Sequence, residues 1–145
     1  MSSAKKKAGR KRVQYAALPY RHNGNSRTQV MLVTTRESGR WVIPKGWPKK
    51  HKTPSGTAAS EAREEAGVVG KVGRESIGSY SYKKRLKSGA VVACEVRVFP
   101  LKVKRQQKSW RERGERETQW FSRAEAARVV RISALSEIIR SLPRK

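Results

Sequence analysis

The segment from Thr53 to Gly67 carries the strongest local structural signal in this chain. Thr53 before Pro54 predicts a helix start, because the threonine hydroxyl can cap the first turn and proline at the first helical position loses no hydrogen bond. Gly67 predicts the helix end. Alanines recur between these residues at helical spacing, and we expect them to form a smooth face that packs on a sheet. They are Ala58, Ala59, Ala62 and Ala66.

Three glutamates lie together on the same predicted helix. Glu61, Glu64 and Glu65 are spaced i, i+3 and i+4, which places them within roughly a 100° arc, where like charges repel. They form either a solvated face neutralised by Arg63 and Arg74, or a site for a hard cation, since Mg²⁺ takes carboxylate oxygens together with substrate phosphates. The spacing alone does not favour one interpretation over the other.

The segment from Gly46 to Val68 resembles the Nudix box, GX5EX7REUXEEXGU, in which U is a bulky apolar residue. Its second half, EAREEAGV, follows the pattern in register, apart from a small Ala62 at an apolar position. The first half departs from it twice, with Lys52 where the box has Glu and Ser60 where it has Arg. The resemblance implies an α/β fold, a Nudix-type α/β/α sandwich with a mixed β-sheet, over residues 13–145. Residues 1–12 are expected to form a disordered basic arm.

The resemblance also assigns roles to the acidic residues. It implies a pyrophosphohydrolase that uses Mg²⁺, with Mn²⁺ as a substitute. By position, Glu61 and Glu65 are expected to hold the metal, and Glu64 to accept a proton from the attacking water or to hold a second metal. The backbone carbonyl of Lys45 or Gly46 is expected to complete the coordination.

Two further segments, WVIPKG before the box and QWFSRAEAARVV near the C-terminus, resemble the branch of the family that hydrolyses diphosphoinositol polyphosphates and diadenosine polyphosphates. Members of that branch bind phosphates on the first strand, on the loop before the tryptophan strand and on the hairpin after the box. The matching positions here are Arg10, Lys11 and Arg12; Arg36 and Arg40; and Lys83, Lys84 and Arg85.

The charge of the chain points to an anionic partner. Lys and Arg total 35 against 11 Asp and Glu, and the net charge is +24. Residues 1–12 carry six basic groups and no acidic group, so +18 remains without them. A field of this size attracts nucleic acid, polyphosphate or an anionic membrane. No apolar run reaches about 18 residues, and the single Cys94 in an apolar run fits the core of a cytoplasmic protein.

Two functions are consistent with these features. The first is a metal-dependent hydrolase acting on a diadenosine polyphosphate, a diphosphoinositol polyphosphate or a nucleoside triphosphate. The alternative is a nucleic-acid-binding protein on a weakly active Nudix scaffold, and removal of pyrophosphate from RNA 5′ ends combines the two ideas. RNA or DNA contact through the basic surface is possible in each case. We expect no membrane partner, and the oligomeric state stays open.

Several strand features can be predicted from local patterns. Val13 to Tyr20 predicts a strand in which Pro19 marks a sheet edge or an early end. Ala90 to Val103 predicts the longest strand, and its change of apolar phase predicts a bulge at Pro100. Residues 83–89, KKRLKSG, predict a polar turn. A stacking role stays open for Trp47 and Trp110.

Overall fold

The computed structural model describes residues 12–25 and 27–143, which form one mixed sheet covered by helices on both faces. The strands are β1 (Arg12–His22), β2 (Thr28–Thr34), β3 (Trp41–Val42), β4 (Lys45–Gly46), β5 (Val68–Val72), β6 (Gly78–Arg85), β7 (Val91–Gln106) and β8 (Thr118–Ser122). The helices are α1 (Pro54–Ala66), α2 (Arg123–Val129) and α3 (Ser133–Arg140). The predicted α/β/α sandwich is confirmed.

The sheet has the order β3-β2-β1-β7-β5, with β4 paired to β1, β6 to β7 and β8 to β2. β1 and β7 are parallel, and the other pairs are antiparallel. Successive side chains of a strand point to opposite faces. Ala16 and Leu18 therefore pack in one apolar cluster with α2 and α3, whereas Ala17 packs in a second cluster with Ala58 and Ala62 of α1.

The predicted bulge at Pro100 is wrong. β7 pairs with β1 without a break through Phe99, Pro100 and Leu101. Val98 belongs to the cluster under α2 and α3, whereas Phe99 and Leu101 belong to the cluster under α1. The apolar phase changes because the buried side of β7 switches from one face to the other, which requires no extra residue. The register shift lies instead where β5 pairs with β7, next to Gly70.

The prediction that Pro19 marks a sheet edge or an early strand end is also wrong. β1 continues to His22 and lies between β2 and β7. The Ala17 N–H donates to the Pro44 carbonyl at 3.0 Å. The Pro19 nitrogen, two residues on, faces the same side, where the partner of β1 changes from β4 to β2. Proline fits a central strand here because no pairing at that point requires its N–H.

Helix α1 begins and ends where local chemistry predicts. The Thr53 hydroxyl accepts a hydrogen bond from the Gly56 N–H at 3.0 Å, and Gly67 at φ 72° donates to the Arg63 carbonyl. A Cβ at Gly67 would lie 2.2 Å from the ring of Trp110, so that tryptophan packs on the helix end. Among the helices of the described residues, none is long and apolar enough to cross a membrane.

Candidate active site

The acidic residues of α1 do not form a solvated face. Glu61 and Glu65 are buried, at 9% and 5% exposure, and Glu64 is half-buried. Within the described residues, the ion pairs of Glu61 and Glu64 are made with Lys49 and Arg111 and not with the predicted partners, Arg63 and Arg74. A buried carboxyl group requires a specific partner, so the interpretation as a solvated face is wrong.

Lys49, which lies on the loop between β4 and α1, joins the carboxylates. Its Nζ lies 2.7 Å from Glu64 Oε2 and 3.3 Å from Glu61 Oε2, and donates to Ser60 Oγ at 2.8 Å. Burial lowers the pKa of Lys49, but the hydrogen bond to Glu64 and the nearby Glu61 outweigh it, so the pKa is raised. The ammonium therefore stays charged between the two carboxylates.

Glu65 is the most strongly perturbed acid of the site. Burial and a hydrogen bond with Glu61 raise the pKa of Glu65 to about 9, although Arg116 and Lys45 act in the opposite direction. Burial also lowers the pKa of Lys45, against the effect of Glu65. Two neighbouring buried carboxyl groups cannot both ionise without added positive charge. Glu65 therefore keeps its proton at neutral pH in the protein alone, beside Glu61.

The backbone of β4 closes this site from the sheet side. Gly46 pairs with Tyr15 of β1, and a Cβ at Gly46 would lie 2.3 Å from the Glu61 carboxyl group. Glycine therefore lets the carboxyl group lie against the backbone of β4. Across the described residues, no three His, Cys, Asp or Glu side chains converge as a complete metal cluster.

The residues present nevertheless fit a hard divalent cation. Such ions bind carboxylate and carbonyl oxygens, and they lower the pKa of an adjacent acid. Glu61 and Glu65 supply two adjacent buried carboxyl groups, of which Glu65 has a raised pKa, and Gly46 leaves room against a backbone that offers carbonyl oxygens. A cation here would favour the ionised form of Glu65.

A cavity of about 1200 Å³ adjoins the carboxyl groups. Glu65 and Lys45 line it, so the acidic site opens directly into the cavity. Five of the predicted phosphate-binding residues line it as well, although they come from two separate segments. They are Arg36, Arg40, Lys83, Lys84 and Arg85. In all, nine cationic side chains and two carboxyl groups line the cavity, which favours a polyanionic ligand.

The remaining predicted phosphate-binding residues lie elsewhere. Arg10 and Lys11 lie outside the described residues, as does most of the predicted basic arm. Arg12 is exposed at the start of β1 and does not line the cavity. The predicted turn at residues 83–89 is partly wrong, because β6 continues to Arg85, which pairs with Val91. The turn itself follows β6 and spans residues 86–90.

Sequence reasoning missed several residues of the cavity wall, above all Arg116. Its side chain is 13% exposed, and it donates from Nε to Glu112 at 2.7 Å and from Nη1 to the Thr34 carbonyl at 3.1 Å. It lies in a charged segment without apolar periodicity, and Thr34 is 82 positions away. Local pattern offered no signal for it. The others are Gln14, Tyr80, Tyr82, Arg128 and Arg131.

Comparison with known proteins agrees with this geometry. The family model of the NUDIX domain matches residues 11–142, so the chain belongs to the Nudix family. Nudix hydrolase 13, mitochondrial, of Arabidopsis thaliana is 32% identical over 126 residues, which cover 79% of this chain and 61% of that relative. The chain thus spans about three fifths of that relative's length.

Two other similarities concern the box and the fold. Diphosphoinositol polyphosphate phosphohydrolase 3-alpha of Mus musculus is 45% identical over 47 residues, 32% of this chain and 29% of that protein. The crystal structure of the C. elegans Ap4A hydrolase superposes with a TM-score of 0.64 at 15% identity, and covers 90% of this chain and 95% of its own. At that identity the similarity shows the fold.

Proposed function

We propose that the protein is a metal-dependent Nudix pyrophosphohydrolase that acts on a compact, highly phosphorylated substrate. The observation that carries the proposal is the position of Glu65, a buried acid paired with Glu61 that lines the same cavity as nine cationic side chains. In the reaction, the oxygen of a water forms a bond to phosphorus. The bond from that phosphorus to the bridging oxygen breaks, and the bridging oxygen leaves with the other phosphate.

The acidic residues have distinct tasks in this proposal. Glu61, Glu65 and a backbone carbonyl of Lys45 or Gly46 would hold Mg²⁺ or Mn²⁺, which when bound neutralises phosphate charge and lowers the pKa of a water. Burial would raise the pKa of Glu64, but the hydrogen bond from Lys49 outweighs it and the pKa is lowered. Glu64 therefore stays ionised and can accept the water's proton or contact a second cation.

The cationic wall would hold the phosphates. Arg116 is already fixed by Glu112 and Thr34, so it loses little freedom on contact with a phosphate. Arg40, on the loop before β3, and Lys84, on β6, line the same cavity. We therefore favour a diadenosine polyphosphate, a diphosphoinositol polyphosphate or a nucleoside triphosphate. The names of the relatives that match the box and the fold support the first two classes.

A substrate panel tests the proposal directly. Each candidate is incubated with Mg²⁺ and with Mn²⁺, and the products are identified by mass spectrometry to locate the broken bond. We expect metal-stimulated hydrolysis of at least one polyphosphorylated substrate, with loss of the activity in Glu65→Gln. Hydrolysis that is indifferent to both metals, or that survives Glu65→Gln, would contradict the proposal.

A second function is favoured by the distribution of charge. The net charge of the chain stays at +18 without residues 1–12, which is more than a compact ligand requires. A nucleic-acid-binding protein with weak activity, or an enzyme of RNA 5′ ends, would use such a surface. RNA binding with a steep salt dependence and no metal-stimulated release of phosphate from any substrate would favour this function. A cytoplasmic location stays a prediction under either function.

A further inference from the structure

Lys49 contacts more of the site than its effect on the pKa of Glu64 requires. An ammonium group has three hydrogen-bond donors. Its Nζ has three acceptors within reach, Ser60 Oγ at 2.8 Å, Glu64 Oε2 at 2.7 Å and Glu61 Oε2 at 3.3 Å. A long, flexible side chain is thereby held in one place, at a cost in rotamer entropy.

Ser60 completes the arrangement from the helix. Ser60 is 7% exposed. Its Oγ donates a hydrogen bond to Glu64 Oε2 at 3.3 Å and accepts one from Lys49 Nζ. Glu64 is therefore held by Lys49 and by a serine one turn earlier on α1. Arg111 contacts the other oxygen of Glu64 at 3.8 Å but is 76% exposed, and exposed pairs of this kind contribute little.

The backbone that carries Lys49 is also constrained. The Lys52 N–H donates to the Lys49 carbonyl at 3.2 Å, and His51 within the same turn adopts φ 65°. A non-glycine residue in the left-handed region costs free energy. The loop conformation that directs Lys49 toward the carboxylates therefore includes an unfavourable backbone angle at His51.

We infer that Lys49 is a positioning residue that orients the carboxylates of Glu61 and Glu64, with Ser60 as its anchor on the helix. The Nudix box places an arginine at the position of Ser60, whereas this chain delivers the cation from the loop before the helix. The inference rests on the proposed function, because it concerns the orientation of groups that hold the metal and accept the proton. Hydrogen bonds to the ligating groups of a metal set their orientation and tune its affinity.

Lys49→Met tests the inference, and Lys50→Met on the same loop is the matched control, since Lys50 is exposed. In Lys49→Met we expect kcat to fall about 10- to 100-fold and Mn²⁺ to bind about tenfold more weakly. Loss of a positive charge beside two carboxylates would by itself strengthen Mn²⁺ binding, so the sign of the change separates orientation from charge. Mn²⁺ binding is measured from the electron paramagnetic resonance signal of the free ion, without substrate.

A second substitution supplies the rescue. Ser60→Arg in the Lys49→Met background supplies a guanidinium group beside Glu61 and Glu64 from helix α1. We expect this second substitution to restore most of kcat and of the Mn²⁺ affinity. Lys50→Met should change neither. If Lys49→Met fails to fold, Lys49→Gln is measured instead, since glutamine keeps two hydrogen-bond donors without the charge. We expect both kcat and Mn²⁺ affinity in Lys49→Gln to be lower than in wild type but not abolished.

The possible outcomes separate the inference from the proposed function. The inference is overturned if the Lys49 variant binds Mn²⁺ more tightly than wild type, or if its kcat and Mn²⁺ affinity are unchanged. In that case an active wild type still upholds the proposed function. A wild type that neither binds Mn²⁺ nor hydrolyses any member of the substrate panel overturns both.

Discussion

The candidate site has two regions of opposite character, an acidic interior around the glutamates of α1 and a cationic rim on the adjoining cavity. In the interior, Glu61 and Glu65 are buried, and Lys49 and Arg116 are each held by defined partners. At the rim, Arg36 is 57% exposed and pairs with Glu115, which is 49% exposed. The interior is organised before any ligand arrives, whereas the rim is solvated.

This difference indicates separate contributions to catalysis. Charges that are withdrawn from water interact strongly, and the loss of one partner leaves another buried group unsatisfied. Exposed charges are screened, and each contributes little alone. We therefore expect substitutions in the interior to change turnover and substitutions at the rim to change substrate affinity, with smaller effects for each residue.

Removal of a single interior charge should have the largest effect. We expect Glu65→Gln to lower kcat by orders of magnitude, because it removes a buried carboxylate from the site that would hold the metal. The fold should be retained, since Gln resembles the protonated form that Glu65 adopts in the folded protein. Steady-state kinetics with saturating Mg²⁺ and thermal unfolding measure both effects.

Glu75→Gln is the matched control, because Glu75 is exposed on the segment between β5 and β6. It should leave kcat unchanged. Equal kcat values in the Glu65 variant and the wild type would remove Glu65 from the mechanism and abolish the distinction between interior and rim.

The second largest effect should follow from filling the space beside Glu61. A methyl group at Gly46 would lie 2.3 Å from the Glu61 carboxyl group, so Gly46→Ala forces the carboxyl group or β4 to move. We expect kcat to fall at least about tenfold, as is typical when a group that orients a metal ligand is lost. Gly24→Ala is the control, since a Cβ at Gly24 meets no atom within 4 Å. Similar kcat values for the two variants would contradict the close packing at Gly46.

The pH dependence of stability in metal-free protein should also distinguish the interior. The pKa of Glu65 is raised from 4.5 to about 9 on folding, so between these values the folded protein keeps a proton that the unfolded chain has released. The free energy of unfolding therefore falls as the pH rises through this window, by up to about 1.4 kcal/mol per pH unit from this group.

Denaturant unfolding of the wild type and of Glu65→Gln in EDTA, at several pH values within that window, measures the difference. The wild type should lose stability relative to the variant as the pH rises, because glutamine does not titrate. Parallel curves for the two proteins would show that Glu65 ionises normally.

Neutralisation of the rim should have a more modest effect. Replacement of Arg36, Arg40 and Lys84 together by Gln should raise KM for a polyphosphate about tenfold and leave kcat nearly unchanged, because each exposed contact contributes on the order of 0.5 kcal/mol. The control removes the same charge at exposed residues that do not line the cavity, Arg63, Lys71 and Lys102. A larger change in kcat than in KM would show that these rim residues act on turnover, as the interior residues are expected to do.

The smallest effect on hydrolysis should come from the N-terminus. Deletion of residues 1–8 keeps Arg10 and Arg12, and kcat/KM should change less than about twofold at physiological salt, where screening acts over about 8 Å. RNA binding should weaken, and the salt slope should become shallower by about 0.7–0.9 for each lost phosphate contact. Filter binding across a salt titration measures the slope. If this deletion abolishes hydrolysis while the triple rim variant stays active, a nucleic-acid polymer is favoured as the substrate.

The sequence by itself determined helix α1 and the register of its glutamates. The signals are local, since the Thr53 cap, Pro54 and Gly67 act within one or two turns. The architecture, a mixed sheet covered by helices on both faces, was implied by the resemblance to a known family. Predictions failed where the meaning of a residue depended on distant neighbours: Pro19 lies in a central strand, and Pro100 marks a change of buried face.

Only the tertiary structure decided how the acidic residues are held. Lys49 reaches Glu61 and Glu64 across the loop before the helix, and Arg116 depends on Thr34, which lies 82 positions earlier. Neither contact has a periodic signature, because a charged side chain is equally compatible with solvent until the chain folds around it. The burial that raises the pKa of Glu65 arises in the same way, from elements that meet only in three dimensions.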